Sequence, residues 1–319
     1  MDPALQSRIR SILSLASQQD WGDESFSLKK AHICAELSAI VYEDVQEYEL
    51  KKASRIHLFA SDAYRRIIKS GKPNRILDSL SERDFEARFF VIRGRYAVIL
   101  GTVFKDVLIL AIRGTVFRKL WDWKANVDTR KFQVRDRYGL SVDDMFFHRG
   151  FFESIVPHFK SIADEAGRRS SISNDNKVIW TGHSLGGAMA AVGAAMSEAA
   201  DHRSDFPQLR SHSFIGETVG AYTFGMPRYC GLGGVCFYRG PYHVYRKSDL
   251  VPTVPLRKMG FADCSREYEI MDDGIVTPSE RTDVFGVFGH VPKLLSSIRA
   301  HSIEGYADSL AKAANVPRP

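Results

Sequence analysis

The chain is 319 residues long, 44% hydrophobic and 26% charged, the balance of an ordinary globular protein with enough apolar mass for one sizeable core. Its net charge of +6 comes from 44 basic against 38 acidic residues scattered along the chain. The basic pairs Arg65-Arg66, Arg118-Lys119 and Arg168-Arg169 have no nucleic-acid motif between them, which excludes nucleic-acid binding as the leading reading and leaves only a mild attraction to anionic surfaces.

The N-terminus, MDPALQSRIRSILSLASQQDW, has no continuous apolar segment and no small-residue cleavage site, so it is expected to be an amphipathic helix and not a signal peptide. That predicts a cytoplasmic protein or one exported by a signal-independent route. Up to about Leu80 the pattern is helical: Ile9, Ile12, Leu13 and Ala16 recur on one face, as do Ile33, Leu37, Ile40 and Val41. Residues 1–80 are therefore expected to form a helical layer packed on a core spanning 81–319, the whole making one compact domain. From Arg88 the period shortens, and FFVIRG, YAVILGTVF and DVLILAIRG read as strands. The longest apolar run, 96–112, is cut by Lys105-Asp106 and reads as a strand pair instead of a membrane span.

Further on, 151–166 has helical spacing, KVIW at 177–180 is a short buried strand, and 188–200 is an alanine-rich helix. Strands are predicted at 219–224, 242–246 and 267–271, and a helix at 303–313. Such alternation gives an α/β protein with a mostly parallel central sheet flanked by helices. The four cysteines, Cys34, Cys230, Cys236 and Cys264, are too few and unevenly spaced for a disulfide scaffold and lack the CxxC pairing of a structural zinc site. Cys230 and Cys236 flank a glycine-rich turn that could bring them together, but four reduced, packed thiols are the favoured reading.

The strongest chemical signal is Gly182-His183-Ser184-Leu185-Gly186, a G-x-S-x-G motif between a predicted strand and a predicted helix. At such an elbow the nucleophile sits in a strained turn, and side chains on the flanking glycines would collide with neighbouring backbone. The Leu185 N–H then lies at a helix start, where free amides and the helix dipole stabilise a developing oxyanion. This context predicts an α/β-hydrolase fold with Ser184 as the nucleophile.

In this topology the acid and then the base follow the nucleophile along the chain. Asp249 follows the YHVYRK strand and opens the turn SDLVPTVP, which favours it over Asp201, Asp205, Asp263, Asp272 and Asp273. Among ten histidines only His290 and His301 follow every plausible acid, so the base is one of those two. A second oxyanion donor is expected from Thr115, after the apolar strand DVLILAIRG.

These motifs, LAIRGT with Trp121 and Asn126 after it, HRGF at 148–151, TGHSLGGA, YTFGMPR, SDLVPTVP, REYEI and His301-Ser302 before Tyr306, resemble those of the class 3 lipase family in the family's order. The resemblance covers about Phe89 to the C-terminal helix. It implies a Ser184, Asp249, His301 triad with Thr115 and Leu185 at the oxyanion positions, an acyl-enzyme mechanism, and a lipid or ester substrate. His148 and His183 are implied to be structural, His183 being an elbow residue. No metal or organic cofactor is implied.

The stretch VFRKLWDWKANV mixes Trp121 and Trp123 with basic residues, a composition suited to a lid making transient contact with a lipid–water interface, although both tryptophans could equally be core. An acylglycerol lipase is the leading functional expectation. A phospholipase A1, a soluble-ester esterase and a non-catalytic lipase-like binding protein are the alternatives.

Overall fold

A computed structural model of the protein describes residues 3–45, 66–67, 69–75, 80, 85, 87–114, 130–135, 141–169, 177–199, 215–237, 239–271, 273–274, 276–278, 297 and 299–317. Helix α1, Pro3–Ser17, buries Leu5, Ile9, Ile12, Leu13 and Ala16, the stripe its spacing predicts. Helix α2, Leu28–Ile40, starts where the Ser27 side chain accepts the Lys30 N–H, and it is buried from Lys30 to Ile40 on every side. A one-sided stripe therefore understates α2, which lies between α1, the C-terminal helix and the sheet.

Among the described residues before Leu80, one pair of short strands stands beside the helices. Strand β1, Asp44–Val45, pairs antiparallel with β2, Asn74–Arg75. Its residues answer to distant partners: the buried Asp44 carboxylate accepts from Arg93 Nε at 2.9 Å and Nη2 at 2.5 Å, and Arg113 Nη2 donates to the Asp44 carbonyl at 2.8 Å. Tertiary contacts of this kind override local propensity.

The main sheet has eight strands: β3 (Arg88–Arg93), β4 (Ala97–Phe104), β5 (Val107–Gly114), β8 (Lys177–His183), β9 (Glu217–Phe224), β10 (Tyr242–Tyr245), β11 (Arg266–Ile270) and β12 (Val276–Pro278). A separate antiparallel ribbon is made by β6 (Lys131–Arg135) and β7 (Ser141–His148), which the sequence patterns do not predict. The order across the main sheet is β12-β11-β10-β9-β8-β5-β4-β3. From β5 to β11 neighbouring strands run parallel, and antiparallel pairs finish both edges. The apolar run at 96–112 is the β4–β5 hairpin, turning through Lys105 at φ 51°.

Alternate residues of each central strand feed opposite layers. Val98, Leu100, Ile109 and Ala111 join the core under α1, α2 and α7 (Ile303–Ala313), whereas Ile99, Leu108, Leu110 and Ile112 join the other. That second layer contains α3 (Arg149–Ile155), α4 (Phe159–Arg169) and α5 (Leu185–Ala199), and α6 (Leu232–Phe237) adds Val235. The helical stretch expected over 151–166 is thus two helices with a 3-10 turn, Val156–His158, between them. Pro157 removes an amide and cannot continue the ladder.

Cys34, Cys230 and Cys264 carry thiols, and the Cys236 side chain lies outside the described residues. Among the described residues no helix is long and apolar enough to cross a membrane.

Candidate active site

The turn from β8 into α5 is set by shape. Ser184 has φ 58°, a left-handed conformation rare for a residue with a side chain. It is tied down from both sides: its N–H donates to the Phe224 carbonyl at 2.9 Å, and its carbonyl accepts from the Ala188 N–H at 3.2 Å. A Cβ on Gly182 would meet the backbone of Gly186, and one on Gly186 would meet the Ile112 carbonyl oxygen on β5. Either addition would push the helix start off the sheet. Ser184 Oγ is buried and has no hydrogen-bond partner among the described residues. Leu185 is the first residue of α5, so its N–H belongs to the unsatisfied first turn of a helix.

Asp249 lies in the loop after β10 and His301 just before α7, both fully or almost fully buried. His301 Nδ1 is 2.7 Å from Asp249 Oδ2. The Val251 N–H donates to Asp249 Oδ1 at 2.9 Å, which leaves the carboxylate held at both oxygens. Tyr306 Oη donates to Oδ2 at 2.8 Å while accepting the Arg246 N–H at 3.1 Å. Burial, reinforced by the adjacent Asp249 charge, pushes the Tyr306 phenol well above its ordinary value, so it remains a donor. Arg246 Nη2 in turn donates to the Gly305 carbonyl and to Ser309 Oγ, both at 2.7 Å, docking α7 on the loop after β10.

His183 sits behind His301. Its Nε2 donates to the His301 carbonyl at 2.7 Å, which assigns the proton to Nε2 and leaves Nδ1 to accept from Tyr42 Oη at 3.0 Å. Burial, then the neighbouring His301, holds His183 well below the ordinary imidazole range, so it is neutral. The His183 and His301 rings lie 4.5 Å apart between centroids.

Gly225, in YTFGMPR, joins the two halves. It follows Phe224, whose carbonyl holds Ser184, and it has φ 52°. A Cβ there would lie 2.6 Å from Asp249 Oδ2 and 3.1 Å from His301 Nδ1, so the hydrogen-bonded Asp249–His301 pair packs directly on this backbone.

Ser184, Leu185, Gly182, His183 and Gly186 thus share one turn, and Asp249 and His301 share one hydrogen bond beside it. Thr115, Trp121, Trp123 and His290 lie outside the described residues, as do Asp201, Asp205 and Asp272. Asp263 is engaged elsewhere, accepting from Arg228 Nε at 2.6 Å and from Arg257. His148 stacks on Phe151 at the end of β7. Sequence reasoning missed Tyr42, Gly225 and Tyr306 as parts of the site. Tyr306 shares the apolar face of α7 with Ile303, Ala307 and Leu310, and its spacing reads as core.

The parallel centre, the antiparallel edges, the two helical layers and the strand–turn–helix at Ser184 define an α/β-hydrolase fold. Residues 109–259 match the model of the lipase (class 3) family. Solved structures with a similar fold include a fungal lipase at 17% identity and TM-score 0.55, covering 90% of this chain and 97% of that one. A mono- and diacylglycerol lipase from Aspergillus oryzae matches at 19% identity and TM-score 0.53, covering 90% and 99%. A mutant form of MDLA from Penicillium cyclopium matches at 18% identity and TM-score 0.51, covering 89% and 99%.

Proposed function

We propose that the protein is a lipase that hydrolyses carboxylic esters of acylglycerols through an acyl-enzyme on Ser184. The observation that carries this reading is the 2.7 Å pairing of His301 Nδ1 with Asp249 Oδ2, packed on the same backbone segment that pins Ser184 in its left-handed turn. His301 Nε2 takes the Ser184 hydroxyl proton as Oγ bonds to the ester carbonyl carbon. Negative charge on the carbonyl oxygen is met by the Leu185 N–H and by a second donor assigned to Thr115. His301 then returns the proton to the departing alcohol oxygen. A water molecule repeats the sequence on the acyl-enzyme, releasing the carboxylic acid and restoring Ser184. Asp249 keeps the Nδ1–H tautomer and stabilises the imidazolium formed in each half.

The acylglycerol assignment is supported by the class 3 lipase match and by the fold shared with a mono- and diacylglycerol lipase. The test is a hydrolysis panel of emulsified triacylglycerol, diacylglycerol, phospholipid vesicles and short p-nitrophenyl esters, run with the wild type and with Ser184→Ala. Turnover of acylglycerols that disappears in the variant is the expected result. Turnover confined to phospholipid would move the substrate to a phospholipase A1 class, and turnover confined to monomeric esters would move it to an esterase. No turnover of any ester would overturn the enzymatic reading.

A further inference from the structure

A second buried histidine–carboxylate pair lies on the far side of the segment that joins the two halves of the site. His243 on β10 and Glu267 on β11 are register neighbours in the parallel ladder, exposed by 0% and 5%. Their side chains meet with Nδ1 3.3 Å from Oε1. On the opposite edge of the ring, the Met226 backbone N–H donates to His243 Nε2 at 3.1 Å. A nitrogen that accepts an N–H cannot carry a proton itself, so the proton sits on Nδ1 and points at Glu267.

Cys264 Sγ completes a trio with these two side chains, their ligand atoms all within 4.8 Å of one another. That spacing suits a metal ion, but the tautomer does not. A metal on Nδ1 would force the proton onto Nε2, where it would face the Met226 N–H donor to donor. The pair is arranged to hold backbone, not a cation.

The backbone it holds is residues 224–226. Phe224 accepts the Ser184 N–H, Gly225 backs Asp249 and His301 while donating its own N–H to the Val244 carbonyl at 3.0 Å, and Met226 is tethered by His243. Each side of the site therefore takes its position from this one segment. We infer that His243, oriented by Glu267, is a positioning residue of the reaction, setting Ser184 against the Asp249–His301 pair through the Met226 N–H. The inference rests on the roles proposed above for those three residues.

The contact that matters is the acceptor at Nε2, and two amides separate it from the rest of the ring. A glutamine places its carbonyl oxygen near the Nε2 position, whereas an asparagine reaches only the Nδ1 position and can still donate to Glu267. Hydrolysis of a short p-nitrophenyl ester across pH is measured for wild type, His243→Gln and His243→Asn, at equal folded fraction by circular dichroism. His243→Asn is expected to lower kcat about tenfold to a hundredfold with little change in KM, the cost of a small misplacement of reacting groups. It should also move the acid limb of the kcat/KM profile, because the hydrogen bond between Asp249 and His301 is loosened. His243→Gln should stay within a few-fold of wild type with an unmoved limb. Ile270→Val, a buried change on β11 in the other core layer from Met226, is the control for strand packing and should leave the limb in place. Equal kinetics and an unmoved limb in the asparagine and glutamine variants would overturn the inference. Full activity of Ser184→Ala would instead overturn the reading on which it rests.

Discussion

The Ser184 side and the Asp249–His301 side of the candidate site meet at Gly225, yet they are held by different physics. Around Ser184 the constraints are steric and backbone-mediated: a left-handed φ, two glycines against carbonyl groups, and main-chain hydrogen bonds to Phe224 and Ala188. Around Asp249 and His301 the constraints are mostly polar side chains brought from far along the chain: Tyr306, His183 and Tyr42 each supply one side-chain hydrogen bond, and the nearby Arg246 backbone N–H holds the Tyr306 hydroxyl. The first arrangement tolerates no added atom, and the second tolerates no lost one.

That contrast can be broken from either side. The largest effect is expected where the polar side loses its anion. Asp249→Asn leaves the volume unchanged, but it removes the charge that stabilises the imidazolium, and ester hydrolysis should fall on the order of 10⁴-fold. Equal rates for this variant and wild type in a steady-state assay would remove Asp249 from the reaction.

On the steric side a single methyl group should suffice. Gly186→Ala places its Cβ against the Ile112 carbonyl oxygen, so α5 must shift from β5 and global stability should fall by about 3 kcal/mol. Urea titration of the two proteins at constant m-value reads this directly. An unchanged midpoint would show that the turn has slack that the steric account denies.

The smallest effect is a pH dependence at the join. His183 is held below its ordinary value of 6.5 by burial and by His301, so under mildly acidic conditions the unfolded chain binds a proton that the folded chain does not. Stability then rises with pH up to about that ordinary value and is flat above it, and it is lost as the pH falls below. Between pH 6.5 and 5.5 the loss amounts to about 1 kcal/mol, or a few degrees in Tm. Replacing His183 by Gln should flatten this part of the Tm profile relative to wild type. Parallel profiles for the two proteins would contradict the neutral assignment of His183.

The same division decides what could be read from the sequence. The elbow is local: strand, five-residue turn and helix are contiguous, so a motif and two periodicities locate it. Helices α1 and α7 were also legible, because each exposes one polar face and buries one apolar stripe. Asp249 and His301 could be narrowed by chain order alone, and the geometry adds the 2.7 Å contact that no spacing supplies. What stayed hidden depends on tertiary partners. Tyr42 reads as the end of a helix, but it reaches His183, and the β1–β2 pair is set beside Arg93 and Arg113 instead of by propensity. Gly225 is one of 24 glycines, and only the packed Asp249 and His301 side chains reveal why it bears no side chain.

The central claim is that Ser184 is the nucleophile and His301 the base that activates it. Labelling with a fluorophosphonate, followed by digestion and mass spectrometry, tests both at once. The account predicts a stoichiometric adduct on the peptide containing Ser184 in the wild type and a greatly slowed adduct at the same residue in folded His301→Ala. An adduct on a different serine, or an undiminished labelling rate in the His301 variant, would contradict it.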